Sequence, residues 1–237
     1  MKLGINVDHV ATLRQARCSK DPDPVLAAKI CQDAGAHAVV MHLREDRRHI
    51  QDADVSKAKE ILKIKLNLEM SLAPSIVKIA ARIRPQQVTL VPEKRQEMTT
   101  ESGLNLLSEK ARLARSMEIF RKKKIEVSYF IDPDPEQIVL AKKLGADAVE
   151  FHTGAYANQG TRYGIQKELG RLKAAVRLAR EAGLVTHAGH GLDYQNVVAI
   201  TRIEGIEELN IGYSIVTRAL WIGLEKAVQE MLGLILS

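Results

Sequence analysis

Aromatic residues make up only 4% of this 237-residue chain, too few for the stacked side chains of a single-strand nucleic-acid platform. Cysteine is nearly absent, with Cys18 and Cys31 as the whole complement. Two cysteines so placed build neither a disulfide framework nor a zinc site, and they fit a reducing cytosol. No apolar run is long and clean enough to span a bilayer. The apolar C-terminal stretch ALWIGLEKAVQEMLGLILS is broken by Glu225, Lys226, Gln229 and Glu230. It reads as an amphipathic helix packed on a core or on a partner subunit. Asp8 and His9 interrupt the N-terminus before a leader-like apolar segment develops, so a soluble cytoplasmic protein is expected. The first apolar run is not followed by G-x-G-x-x-G, which weighs against a dinucleotide-binding sheet.

What is present is a rhythm. Short runs rich in β-branched and aliphatic residues recur at 3–7, 37–43, 66–70, 87–91, 125–131, 147–152, 184–188 and 208–212. Helical patterns fall between and after them, near 23–34, 54–64, 74–83, 104–123, 134–144, 164–182, 193–201 and 214–233. AGAHAVV and LGADAVE carry the same punctuation, a glycine past a helix end and then a strand. Asp-Pro pairs at 21–24 and 132–135 mark turns and helix starts. Strict alternation with short returns implies a parallel sheet. Eight repeats without a linker favour one α/β domain over residues 1–237, a single (β/α)8 TIM barrel with possible extra helices.

Barrel chemistry gathers where strands end. By that rule the first strand presents Asn6, Asp8 and His9, the second His42 and Arg44, and the third Glu69. The fifth ends at Asp132, the sixth carries Glu150 and His152, the seventh leads into HAGHG with His190, and the eighth into NIG. An ionisable residue inside an apolar strand is costly unless it is paired or used. Each such residue taken singly also fits a structural role, such as a salt bridge at Glu69. Their convergence on one end of the barrel favours a site. The glycine turns AGHGLD and NIGYSI sit where barrels commonly hold phosphate on backbone N–H groups. Arg14 and Arg17 after the first strand, and Arg44, Arg47, Arg48 and His49 after the second, read as two sets of anion donors. EDRR at 45–48 has equal standing as an internally paired loop. The long connection PEKRQEMTTESG, 92–103, reads as a lid or as a surface excursion.

The segments NVDHVATLRQAR, HLREDRRHI, NLEM, LVPEKRQEMTTESG, FIDPD, HTGAYA, AGHGL and LNIG occur in this order along the whole chain. Together they resemble the pyridoxine 5′-phosphate synthase family. The resemblance implies condensation of 1-deoxy-D-xylulose 5-phosphate with 3-amino-2-oxopropyl phosphate, giving pyridoxine 5′-phosphate, inorganic phosphate and water. It implies His42 and Glu69 as general bases, His190 as proton donor and Glu150 as a charge-stabilising carboxylate. Substrate binding falls by the same resemblance to Asn6, Asp8, His9, Arg17, Arg44, His49, Thr99, Gly191, Gly212 and Tyr213. It further implies no metal, no organic cofactor, small phosphorylated substrates, no nucleic-acid or membrane partner, and a homo-octamer built as a tetramer of dimers. One departure is Tyr213, where family members commonly carry histidine.

Residue chemistry agrees with that implication. Imine formation, enolisation, phosphate loss, ring closure and dehydration each move a proton, so several acid–base groups must surround one ligand. The amine belongs to the substrate, and no lysine stands among the strand-end positions named above. A metal-dependent sugar-phosphate isomerase or hydrolase is the rival, with His42, Glu69, Glu150, His152 and His190 as candidate ligands. A non-catalytic RNA or anion binder is the third reading. The net charge of +6 is scattered and aromatics are few, which argues against it.

Overall fold

The computed structural model describes residues 1–93 and 102–236. Eight parallel strands close on themselves in sequence order, the last pairing with the first. They are β1 (Lys2–Asn6), β2 (Ala38–His42), β3 (Lys65–Met70), β4 (Gln87–Leu90), β5 (Glu126–Ile131), β6 (Ala148–His152), β7 (Val185–Gly189) and β8 (Glu208–Ile211). Each overlaps an expected run, and (β/α)8 closure is observed.

Period-two alternation divides each strand between two environments. Leu3, Ile5, Val39, Met41, Leu66, Leu68, Val149 and Phe151 join the hydrophobic core packed with the surrounding helices. The alternate residues line the barrel interior, and here many of them, Asn67, Glu69, Thr89, Glu150, Glu208 and Asn210 among them, are polar rather than the usual branched aliphatics. Thr89 Oγ1 donates to Asn67 Oδ1 at 2.9 Å, and Lys65 Nζ meets Glu208 Oε1 at 2.7 Å. Gly4 and Gly189 leave room for this chemistry. A Cβ on Gly4 would stand 2.1 Å from Asn210 Oδ1, and one on Gly189 2.4 Å from Glu150 Oε1.

The helices are α1 (Asp8–Gln15), α2 (Pro24–Asp33), α3 (Asp52–Ile61), α4 (Pro74–Ile83), α5 (Leu106–Lys122) and α6 (Pro135–Lys143). After them come α7 (Gly154–Ala157), α8 (Arg162–Glu181), α9 (Val197–Thr201), α10 (Tyr213–Ile222) and α11 (Leu224–Leu236). The Asp-Pro signals act as expected. Asp23 and Asp134 accept from Val25 N and Glu136 N, each 2.8 Å away, with proline next in the first turn. Gly35 and Gly145 end their helices at φ 103° and 84°.

Three features differ from expectation. The segment after β1, for which the sequence pattern predicts no helix before 23, opens with helix α1, whose first turn carries Asp8 near the positive end of its dipole. HTGAYA contains the short helix α7. The single C-terminal helix expected over 214–233 is two, broken at Gly223, where φ is 84°. Ala227, Val228, Met231 and Ile235 of α11 are buried in the protein's own core. Among the described residues, no helix is long and apolar enough to cross a membrane.

Candidate active site

At the carboxyl end of the barrel lies a cavity of about 750 Å³ to which the end of each strand contributes, from Asn6 at the end of β1 round to Asn210 in β8. Twelve of the fourteen expected site residues line it: Asn6, Asp8, His9, His42, Arg44, His49, Glu69, Glu150, His190, Gly191, Gly212 and Tyr213. Arg17 is exposed beyond α1 and does not reach the cavity of its own chain, because the helical turn carries it over the rim. Thr99, like most of the expected lid, lies outside the described residues.

The β1–β3 side is a nest of acids. Asn6 Nδ2 donates to Asp8 Oδ2 at 2.9 Å and reaches Glu69 Oε2 at 3.5 Å. Asp8 Oδ1 accepts the His42 backbone N–H at 2.9 Å. Burial raises the Asp8 carboxyl to about 7, against the opposing hydrogen bonds from His42 and Asn6 and the charge of Arg44. Burial also lifts Glu69 well above the carboxylate range, and the neighbouring Glu150 and Asp8 push it further. Glu150 is raised to about 7 by burial, although Asn210 Nδ2 donates to its Oε2 at 2.7 Å. Asn210, rather than His152 or an arginine, is the group that satisfies this carboxyl.

The imidazoles shift the other way. Burial lowers His42 to about 3 and His49 to about 4, with neighbouring cationic groups adding to it. His42 therefore stands as a neutral base between two acids, Nδ1 at 4.0 Å from Glu69 Oε2 and Nε2 at 3.9 Å from Glu93 Oε2. Carboxyls titrating near neutrality beside neutral imidazoles can give and take protons at physiological pH.

The arginines separate into two groups. Arg44 is 3% exposed, with Nε at 3.6 Å from Asp46 Oδ1 and 3.7 Å from Glu93 Oε1. Arg14, read as an anion donor, is a strut instead. It grips Asp54 through both terminal nitrogens, at 2.8 and 2.7 Å, and donates to the His49 carbonyl at 3.0 Å. Its charge is consumed in holding α1 to α3. Arg47 pairs with Asp52, and Arg48 with Asp46, each at 2.6 Å. They shape the β2 loop that presents Arg44 and His49.

Two glycine turns complete the mouth. His190 and Gly191 both adopt left-handed backbone, φ 78° and 76°, which is costly at a histidine. Thr153 Oγ1 holds that turn by donating to Gly189 O at 2.7 Å and His190 O at 2.5 Å. Gly212 caps α10 so close to Asn6 that a Cβ would stand 2.8 Å from the asparagine Cβ. Tyr213 is 68% exposed and meets the His9 ring edge-on at 5.3 Å.

Sequence reasoning missed Glu93, which lies close to His42 and Arg44, because an acid three residues past a strand in a polar loop has no periodic signature. The five ligands of the metal-dependent rival do not converge as one set. Among the described residues, the close donor group is Asp8, His42 and Glu69, with atoms within 4.8 Å of one another. His152 instead faces Asp132 and His190.

A closed barrel whose mouth combines near-neutral carboxyls, neutral imidazoles and glycine turns defines an acid–base enzyme of the (β/α)8 class. The chain belongs to the family described as pyridoxal phosphate biosynthesis protein PdxJ, which matches residues 3–237. A pyridoxine 5′-phosphate synthase from Trichlorobacter lovleyi is 53% identical over 234 residues, covering 99% of this chain and 98% of that protein. One from a Hydrogenobaculum species is 51% identical over 239 residues, covering 99% and 100%. Among solved structures, a 3-hexulose-6-phosphate synthase superposes with a TM-score of 0.67 at 15% identity, covering 99% of this chain and 100% of that one. That likeness speaks for the fold alone.

Proposed function

We propose that this chain is a pyridoxine 5′-phosphate synthase, joining 1-deoxy-D-xylulose 5-phosphate to 3-amino-2-oxopropyl phosphate with release of inorganic phosphate and water. The observation that carries the reading is the set of proton-transfer groups facing one cavity in a chain of this family. Asp8, Glu69 and Glu150 are carboxyls raised well above their ordinary range, and His42 is an imidazole kept neutral. Condensation through an imine and an enol needs such reversible donors and acceptors at several carbons of one bound pair.

In this reading His42 and Glu69 remove protons, Glu150 stabilises developing charge and His190 returns a proton to the leaving oxygen. Asn6, Asp8, His9, Arg17, Arg44, His49, Thr99, Gly191, Gly212 and Tyr213 hold the two phosphorylated substrates between them. Backbone N–H groups at the start of α10 suit a phosphate, which makes Tyr213 acceptable there without an imidazole.

A homo-oligomer belongs to the same reading, with the octameric arrangement implied by the family. Leu220 and Trp221 on α10 are 64% and 80% exposed, and Arg17 stands outside its own cavity, where a second copy can use it. Cytoplasmic operation follows from substrates that carry phosphate. Incubation with both phosphorylated substrates tests the activity: pyridoxine 5′-phosphate and free phosphate should appear together. Failure to form that product from the pair would overturn the reading.

A further inference from the structure

Behind His190 stands a group of side chains that the reaction as described leaves unused. His152, at the end of β6, is buried, and its Nδ1 lies 3.3 Å from Asp132 Oδ1. Its ring packs against His190 with centroids 4.7 Å apart, and Phe130 closes another side edge-on at 5.3 Å. His152 Nε2 is buried without a hydrogen-bond partner, a costly state for an imidazole nitrogen with only a structural role.

The backbone has been shaped around this pair. A Cβ on Gly154 would lie 2.7 Å from His152 Nε2 and 3.1 Å from His190 Cδ2, so both rings border the same point and only glycine leaves it open. Asp132 is held in turn by the Gly103 N–H at 3.2 Å. A Cβ on Gly103 would sit 2.2 Å from the Asp132 nitrogen, so glycine is required for that approach. The Asp132 side chain is 42% exposed, against 8% for His152. The three groups therefore run from solvent, through a carboxylate and a buried imidazole, to the imidazole at the cavity wall.

We propose that Asp132 and His152 are positioning residues for proton donation by His190: the carboxylate fixes His152, and His152 orients the His190 ring. The inference rests on reading His190 as the donor. Burial and the neighbouring His152 lower His190 to about 4, so the ring rests neutral and must gain a proton before it gives one. That proton comes from water in the cavity, and His190 passes it to the substrate oxygen and returns to its neutral state, while Asp132 and His152 hold the ring in place. Asp132, held below the usual carboxylate range chiefly by its bond to His152, stays ionised throughout.

The variants Asp132→Asn and His152→Asn test this in the full-length enzyme with both substrates. His152→Asn keeps a polar group near the Nδ1 position but removes the unpaired nitrogen facing His190. Each should lower kcat by about 10–100-fold, as loss of an orienting partner of a histidine does, while KM for both substrates stays within about twofold. The solvent deuterium isotope effect on kcat should rise, because proton delivery then limits turnover. Wild-type kcat in either variant would overturn the proposal. So would a loss confined to KM, or a lower kcat with an unchanged isotope effect, the mark of a structural role. Should His152→Asn unfold the barrel, the more exposed and isosteric Asp132→Asn decides alone. His190→Gln separates the two levels of inference. If it turns over normally, the donor reading fails; if it is inactive while the other two variants are normal, only the positioning role fails.

Discussion

The two ends of the barrel interior are both polar, and they handle charge in opposite ways. At the amino end Lys65 meets Glu208 at 2.7 Å and Gln87 at 3.1 Å, so a 1%-exposed carboxylate has a cation against it. At the carboxyl end Asp8, Glu69 and Glu150 face one cavity, and their hydrogen-bond partners are Asn6, Asn210 and a backbone N–H. Compensated charge in a closed interior supports structure. Acids without a directly bonded cation, beside open space, instead keep their protons well above the ordinary carboxylate range, as proton transfer requires. The same residue type, glutamate in a barrel strand, thus serves two purposes according to what stands beside it.

Breaking the upper end should cost activity. Glu69→Gln is expected to lower turnover by about 10²–10⁴-fold, while calorimetry still detects substrate binding, since the amide keeps the shape. A variant with wild-type turnover would remove Glu69 from the mechanism. Breaking the lower end should cost stability. Lys65→Met leaves Glu208 buried without its cation, and chemical denaturation should show a loss of about 3–5 kcal/mol. Its folded fraction should retain wild-type turnover. A catalytic defect in folded Lys65→Met protein, or full stability, would erase the distinction between the two ends.

This division was partly legible before any coordinates. Strand ends were readable because β-branched runs and glycine caps are local signals, and so the barrel and its rim of acids and histidines emerged together. Compensation was not readable, because it depends on distant partners. Arg14 looked like an anion donor until Asp54, 40 positions along, took its charge. Glu150 found Asn210, 60 positions away. Helix α1 is hard to see in the sequence because Asp8–Gln15 is short and starts directly after a strand, although it contains adequate helix formers. Gly223 divides the last two helices by adopting φ 84°, which an apolar pattern running across it conceals.

A smaller effect separates the ends by pH. Glu150 has a folded value of about 7 against an ordinary 4.5, so the folded state binds its proton more tightly than the unfolded chain. Below about pH 4.5 the group is protonated in both states and adds no penalty. As pH rises toward 7 the unfolded chain ionises first, and stability falls until the folded carboxyl has ionised too. Glu150→Gln removes that loss, so its melting temperature should gain on the wild type between pH 5 and pH 8. Comparing variant with wild type at each pH matters, since the buried histidines oppose this trend. They lose stability as pH falls below 6.5, toward folded values of about 3 for His42 and about 4 for His190. An identical difference at both pH values would mean that Glu150 does not carry a shifted proton.

The smallest expected effect bears on what neutralises the upper acids. Asp8, His42 and Glu69 place donor atoms within 4.8 Å of one another, and a divalent cation there would do for the carboxyl end what Lys65 does for the amino end. Protons are the alternative, and the hydrogen bonding favours them. Both Asp8 oxygens already accept, one from Asn6 Nδ2 and one from the His42 N–H, and Asn6 Nδ2 also reaches Glu69. A metal would have to compete with those donors at a site where three carboxyls already hold protons more tightly than usual. Exhaustive chelation followed by assay in metal-free buffer should therefore leave turnover and melting temperature unchanged. Loss of activity restored by one divalent ion would make the two ends alike, each balanced by a cation, and would return His42 and Glu69 from bases to ligands.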